Sequence, residues 1–320
     1  MKKIDIREIK GFKIGNAQDE KGATGVTAII AEHGATAGVD VRGGGPATRE
    51  TDLLKPENMV QEINAVVLSG GSAYGLEASC GVMEFLEEKG LGFDVGIGIV
   101  PIVCGASLFD LVVGDAKVRP DKEMGRKAAE NAFSGDFDRG NYGAGTGASV
   151  GKYRGPERMM KGGLGACAVE AGLLQVGAIS AVNALGDVFG QKGNQLAGLL
   201  SEDKMSMIST SEAVKDDIAR MFDVFKGNTT ISCIITNGKL TKAQCTKLAS
   251  IAHDGYARAI QPVHTTADGD TIFVMATGEV DVNFDALAVI ATEQIAAAIE
   301  DAVLQAEPAY GLKSASDFMK

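Results

Sequence analysis

Glycine constrains this chain before anything else does. It accounts for 42 of 320 residues, about 13% and nearly twice ordinary usage, and it clusters, most densely at residues 43–45 and 143–151. Such clusters serve where a backbone takes positive φ, or where two backbones approach too closely for a Cβ. A packed, layered structure with many tight crossings is therefore expected. The rest of the composition, 45% hydrophobic and 23% charged with seven prolines, is that of a folded globular chain. At 320 residues it buries a substantial core, as one large domain or two ordinary ones.

Charge and pattern remove several classes. A net charge of -11 repels phosphate backbones and anionic membrane surfaces, so neither nucleic acid nor membrane is an expected partner. No apolar run reaches the length of a transmembrane helix, and the opening MKKIDIREIKGFKIGN has no apolar stretch of a secretory signal. A cytoplasmic location is expected. Five cysteines, at positions 80, 104, 167, 233 and 245, include no CxxC pair and sit in apolar runs, so they read as small buried hydrophobes rather than a disulfide framework. Three scattered histidines suggest no metal site, and no organic cofactor is expected.

Along the chain, residues 24–42 alternate around a Glu-His-Gly break and predict a hairpin of two antiparallel strands. NAVVLSGGSAYG predicts a buried strand running into a glycine turn, followed by a helix with Leu76, Cys80, Met83 and Leu86 on one face and Gly90 at its end. A short helix over 121–134 precedes the glycine loop 143–151. GGLGACAVEAG and LLQVGAISAVNALGDV suit core strands. Residues 190–228 turn polar and irregular and are expected to form a long exposed connector. Beyond them NTTISCIITNGKL and ADGDTIFVMATG read as strands. Each is followed by a helix, one carrying Leu248, Ile251, Ala252 and Ala259 on its buried side, the other Leu287, Ala291, Ile295, Ala298 and Ala302. Hairpins early and long helices late predict an α+β sandwich in which helices cover antiparallel sheets.

Two glycine segments invite a nucleotide reading and fail it. GTGASVGKY lacks the first glycine of a P-loop and has Tyr153 where Ser or Thr is required. GAGTGA follows no strand, which is the wrong setting for a dinucleotide turn. Tight crossings explain these loops, and their backbone N–H groups can also hold an oxyanion.

Asn228, Thr229 and Thr230 stand where the polar stretch meets a buried strand. Attack by the Thr229 hydroxyl on the Asn228 carbonyl, followed by hydrolysis of the resulting ester, would release a chain whose first residue carries both nucleophile and α-amine base. Asp268 and Asp270 flank Gly269 and fall on one side of extended chain. They offer groups to hold the hydroxyl or the ammonium. Asn183 offers an uncharged oxyanion donor, and Lys152 a positive charge. Each feature alone has an ordinary structural explanation: a turn, a satisfied polar group, a surface lysine, a strand. Periodicity does not select these five residues.

The whole chain, however, resembles the DmpA-like family of N-terminal-nucleophile hydrolases, the L-aminopeptidase/D-esterase group that also holds the β-aminopeptidases and the nylon-oligomer hydrolase. The segments that carry the likeness are GVDVRGGGPATRETDLL, AVVLSGGSAYGLEA, GAGTGASVGK, GGLG, VGAISAVNALGDV, NTTISCIITN and HDGYARAIQPVHTTADGDTIFVMATG. The resemblance implies a four-layer αββα sandwich, formed by residues 1–320 as a single domain. It implies autocleavage between Asn228 and Thr229 into an α chain 1–228 and a β chain 229–320 that stay associated, generally within homo-oligomers. It places the nucleophile on Thr229, the oxyanion asparagine on Asn183, and supporting side chains on Asp268 and Asp270. Thr229 and the paired aspartates are similar to the nylon-oligomer hydrolase branch, where a lysine like Lys152 belongs to the site. The aminopeptidases instead carry a serine nucleophile and a Ser-Gly-acid triplet. They also have a tyrosine after a Pro-Val-Val-like run, and PIVCGASLFDL has none.

The expected function is an amide, peptide or ester hydrolase working through an ester on Thr229, with a small peptide or amide as substrate. Two other classes fit the same residues: an acyltransferase using the same threonine, and a non-catalytic small-molecule binding protein whose glycine loops form the site.

Overall fold

The computed structural model describes residues 1–218 and 227–319. Among these, ten strands form one continuous sheet: β1 (Lys2–Ile4), β2 (Phe12–Asp19), β3 (Thr24–Val41), β4 (Thr48–Arg49), β5 (Glu62–Ser69), β6 (Val103–Ser107), β7 (Gly163–Ala171), β8 (Leu174–Asn183), β9 (Thr229–Gly238) and β10 (Thr271–Val280). Their spatial order is β1-β7-β8-β9-β10-β3-β5-β6-β4, with β2 also on β3. The helices are α1 (Ala78–Glu88), α2 (Lys122–Ser134), α3 (Thr210–Asp216), α4 (Lys242–Ala259) and α5 (Phe284–Gln305).

The layering follows from strands that are apolar on both faces. In β9 the side chains of Ile231, Cys233 and Ile235 enter one core and Ile234 the opposite one; in β10 Phe273 and Met275 part from Ile272 and Val274 in the same way. The outward set packs under α4 and α5. On the other half of the sheet, Val26, Ala28, Ala65 and Val67 pack under α1 and α2. The inward residues of both halves, among them Ile179 and Phe273 from one and Ile29, Val66 and Leu68 from the other, share a central core. The order is therefore helix, sheet, sheet, helix, the expected αββα sandwich. Local signals agree with it: Thr241 and Gln244 form a capping box on α4, Asn283 caps α5, and Asp121 caps α2.

Three expectations are corrected. Residues 24–41 are a single strand, not a hairpin. The Glu-His-Gly break is a bulge, with Gly34 at φ +79°, and pairing with β5 resumes beyond it after a register shift. The first half of β3 pairs β2 and the second half pairs β10, so β3 runs through both halves of the sandwich. Nor is the stretch 190–228 exposed throughout. Residues 196–200 are buried, and Gln195–Ala197 is a short strand on Asp187–Phe189. The carboxylate of buried Asp187 accepts from Leu199 N (2.9 Å), Thr210 N (2.7 Å) and Thr210 Oγ1 (2.6 Å), tying the stretch down. Residues 219–226 of the expected connector lie outside the described residues. The helix α1 stripe is also offset, with Val82 and Phe85 buried and Cys80 and Met83 only half-buried.

Candidate active site

Sheet order brings the predicted residues to one end of the sandwich. Thr229 opens β9 directly opposite Asn183, the last residue of antiparallel β8. The parallel neighbour β10 starts level with Ile231, so Asp268 and Asp270, just upstream, arrive at the same end. Asn228 and Asp268 bridge in parallel there. The C-terminal end of β3 reaches this end too, and delivers the glycine loop 43–45 onto the Asp-Gly-Asp segment. Arg42 N donates to Asp270 O (3.0 Å) and Gly45 N to Asp268 O (2.8 Å). A Cβ on Gly43 would lie 2.3 Å from Asp268 O, so glycine is required by the close approach.

At the centre is the Asn228 carbonyl. It accepts from Gly269 N at 2.9 Å and from the Thr229 hydroxyl. A Cβ on Gly269 would stand 2.7 Å from Thr229 Oγ1. Asn228 N donates to Ala267 O (3.3 Å). Lys152, fully buried, donates from Nζ to Asn183 Oδ1 (2.6 Å), Asn183 O (3.0 Å) and Gly227 O (3.2 Å). Asn183 Oδ1 also accepts from Ser149 N (3.0 Å), which turns its Nδ2 toward Phe109 O (2.9 Å). Thr229 and both aspartates are buried as well.

The aspartates are held by backbone. Asp270 Oδ1 accepts from Thr230 N (2.7 Å), and its Oδ2 accepts from His264 N (3.2 Å) and lies 2.8 Å from His264 Nδ1. Asp268 Oδ2 accepts from Thr265 N (2.8 Å) and Thr265 Oγ1 (2.5 Å), and Oδ1 from Leu185 N (3.4 Å). Burial, reinforced by the neighbouring Asp270 charge, raises the Asp268 carboxyl to about 6. Burial pulls the Lys152 ammonium down to about 7 against the opposing pull of Asp268 and Asp110. The site thus holds an acid and a base that both change charge near neutrality.

All five predicted residues come together, but the lysine is buried rather than on the surface, and the Asn183 Nδ2 expected to face an oxyanion donates to Phe109 O instead. Several participants were not foreseen. Phe109 supplies its carbonyl to Asn183, and its ring would meet a Cβ on Gly227 at 2.4 Å. His253 and His264, expected to be scattered, lie with ring centroids 4.7 Å apart, and the Tyr256 ring stacks on His264 at 5.8 Å. Lys161, also fully buried, donates to Gly145 O (2.8 Å), Ala148 O (3.0 Å) and Gly162 O (3.2 Å), bracing the glycine loop 143–151. Only the glycine density near Lys161 hinted at this; nothing local marked His264. Among the described residues no group of His, Cys, Asp and Glu has a metal-binding arrangement, and no helix is long and apolar enough to cross a membrane.

Comparison with known proteins gives a consistent result. The profile of Peptidase family S58 matches residues 5–316. An uncharacterized aminopeptidase of Mycobacterium leprae is 39% identical over 86% of this chain and 79% of its own. A 6-aminohexanoate-oligomer endohydrolase of Agromyces is 33% identical over 93% of this chain and 84% of its own. Among solved structures, the L-aminopeptidase D-Ala-esterase/amidase of Ochrobactrum anthropi, a variant of the Ntn hydrolase fold, superposes with a TM-score of 0.71 at 20% identity, covering 94% of this chain and 86% of that one. A Burkholderia β-aminopeptidase gives 0.70 at 19% identity, covering 96% and 89%.

Proposed function

The chain belongs to peptidase family S58 and is a hydrolase of peptide or amide bonds; from that premise we propose that it cuts itself between Asn228 and Thr229 and then works through Thr229. The observation that carries this reading is the Asn228 carbonyl, which receives the Gly269 N–H on its oxygen while the Thr229 hydroxyl lies against it. A peptide carbonyl with its nucleophile beside it and a donor on its oxygen is set up for addition.

In the first step the Thr229 Oγ bonds to the Asn228 carbonyl carbon and the C–N bond breaks. The hydroxyl proton passes to the departing nitrogen, which becomes the α-amine of Thr229. The α-amine cannot be the base for this step, because it is still an amide. Lys152 engages Asn183 Oδ1, Asn183 O and Gly227 O with its three ammonium protons, so it supplies positive charge beside the cleavage point, and the proton moves from hydroxyl to nitrogen directly or through a water. Water then hydrolyses the ester, freeing the Asn228 carboxylate and restoring the hydroxyl. In turnover the same oxygen attacks a substrate amide, now with the α-amine as proton acceptor; its reference pKa is about 7.7 to 8.0. Gly269 N–H, vacated by Asn228, holds the oxyanion. Asn183 orients Lys152 through Oδ1, and Asp270 fixes the start of β9 through Thr230 N.

The purified protein is expected as two pieces of roughly 24 and 10 kDa, apportioning 33.1 kDa by 228 and 92 of 320 residues. Thr229→Ala should remain whole and inactive on aminoacyl p-nitroanilides. An intact chain that is nevertheless active would refute the mechanism.

A further inference from the structure

The ester made in self-cleavage and the ester made in turnover differ only in their acyl group. The groups that grip residues 227 and 228 before the cut are therefore the groups a substrate's acyl side meets afterwards. Residue 228 lies in extended pairing with the segment 267–269: its N–H donates to Ala267 O (3.3 Å) and its carbonyl accepts from Gly269 N (2.9 Å). One residue further out, Gly227 O accepts from Lys152 Nζ (3.2 Å). The Phe109 ring closes on Gly227 so tightly that a Cβ there would lie 2.4 Å away.

We infer that the acyl subsite reads an extended peptidyl group: an amide N–H on Ala267 O, a carbonyl beyond it on Lys152, and glycine-sized bulk against Phe109. The preferred acyl donor is then a chain whose amine is already acylated, and cleavage is internal to a chain rather than one residue from a free amino terminus. A free α-amine would leave Lys152 without its acceptor on the substrate and put an ammonium in the place of a neutral N–H next to the lysine. The inference rests on the proposed function, because it transfers the contacts of the uncut chain to substrate.

The test uses the processed two-chain protein with two substrates that share a leaving group, acetyl-Gly-Asn p-nitroanilide and Asn p-nitroanilide. The blocked compound should give a kcat/KM at least tenfold higher. The same contrast is read by calorimetry with the two acids, acetyl-Gly-Asn and free asparagine, as ligands; the blocked dipeptide should bind at least tenfold more tightly, and this comparison decides the matter if neither anilide is turned over. Replacing glycine by valine in the blocked compound should remove most of the advantage through collision with Phe109. Equal or better performance by the free amine overturns the inference while the self-cleaved threonine stands. A chain that never cuts itself overturns the proposed function first.

Discussion

His264 lies with Nδ1 2.8 Å from Asp270 Oδ2, and its own N–H donates to the same oxygen at 3.2 Å. The other oxygen of Asp270 takes Thr230 N at 2.7 Å, so one histidine fixes the carboxylate that anchors β9 at the residue after Thr229. His264 adopts φ +57°, a region open to Gly and Asn but strained for most residues. That allows a clean comparison. His264→Gly keeps the backbone freedom and removes the ring donor; His264→Asn keeps both, with Nδ2 in place of Nδ1. Loss of a hydrogen bond to a charged group, about 1.5–3 kcal/mol, should lower the kcat of the glycine variant by about tenfold or more, with KM little changed. The asparagine variant should stay within a few-fold of wild type. Equal impairment of the two variants would show that the ring donor is not what matters.

The pH response of catalysis should carry the mark of the aspartate pair. Asp268 is raised to about 6 by burial and by Asp270, and its ionised form is the one that accepts from Thr265 and Leu185 and faces the Lys152 ammonium. The kcat/KM of the processed protein should therefore fall on the acid side in two steps, the first from the α-amine base at about 7.7 to 8.0 and the second near 6 from Asp268. Asp268→Asn should lose about a hundredfold in activity and abolish the second step. A profile flat down to pH 5 in wild type would contradict the assignment.

Much of the fold around this site was legible because sheet-forming sequence is periodic. NTTISCIITNG announces a strand buried on both faces, and Ile231, Cys233 and Ile235 do separate from Ile234 across it. The family segments located Thr229, Asn183, Asp268, Asp270 and Lys152. What stayed hidden depends on contacts between distant parts of the chain. Glu32, His33 and Gly34 look like a turn, yet each half of β3 finds a different partner strand, and the break survives only as a bulge. The polar stretch after residue 190 looks exposed because the carboxylate that satisfies its N–H groups, Asp187, belongs to another strand. His253 and His264 are eleven positions apart, and only the end of α4 and the turn after it bring their rings together.

Two buried lysines make a prediction about stability. Burial lowers both Lys152 and Lys161 to about 7, from an ordinary 10.5. Between those values the unfolded chain holds protons that the folded chain has released, so stability must rise as pH increases through this window. Below about 7 both states are protonated and the full cost of burying the charges is present. Cys104 and Cys245, raised to about 12 from 9.0, act in the opposite direction only above pH 9. Denaturant unfolding at pH 7, 8 and 9 should therefore show increasing stability, each lysine contributing on the order of 1 kcal/mol per pH unit. Lys161→Met should flatten the slope by one lysine's share. It should also lose about 1 kcal/mol at pH 9, because the carbonyls of Gly145, Ala148 and Gly162 lose a buried donor while Ala148 N and Gly162 N still reach the first two. A pH-independent stability in wild type would show that these ammonium groups keep their protons.

Gly269 offers the most direct test of the cleavage geometry. Its N–H holds the Asn228 carbonyl at 2.9 Å, and its missing side chain leaves room for the Thr229 hydroxyl, since a Cβ would sit 2.7 Å from Thr229 Oγ1 and 3.0 Å from Gly45 O. Gly269→Ala must move either the hydroxyl or the glycine loop, and a displacement of about 1 Å at a reacting atom costs about a hundredfold in rate. The expected result is a folded protein, destabilised by about 1–3 kcal/mol through overpacking, that accumulates as the uncut 33.1 kDa chain. Gly90→Ala is the control. That glycine has positive φ but nothing within 4 Å of its Cβ position, and it lies at the end of α1, away from the site. It should lose stability through backbone strain, about 1–2 kcal/mol, and still cut itself completely. Gel electrophoresis of the two variants side by side separates a steric effect at the nucleophile from a general loss of stability, and full processing of Gly269→Ala would mean that the hydroxyl attacks from somewhere other than this pocket.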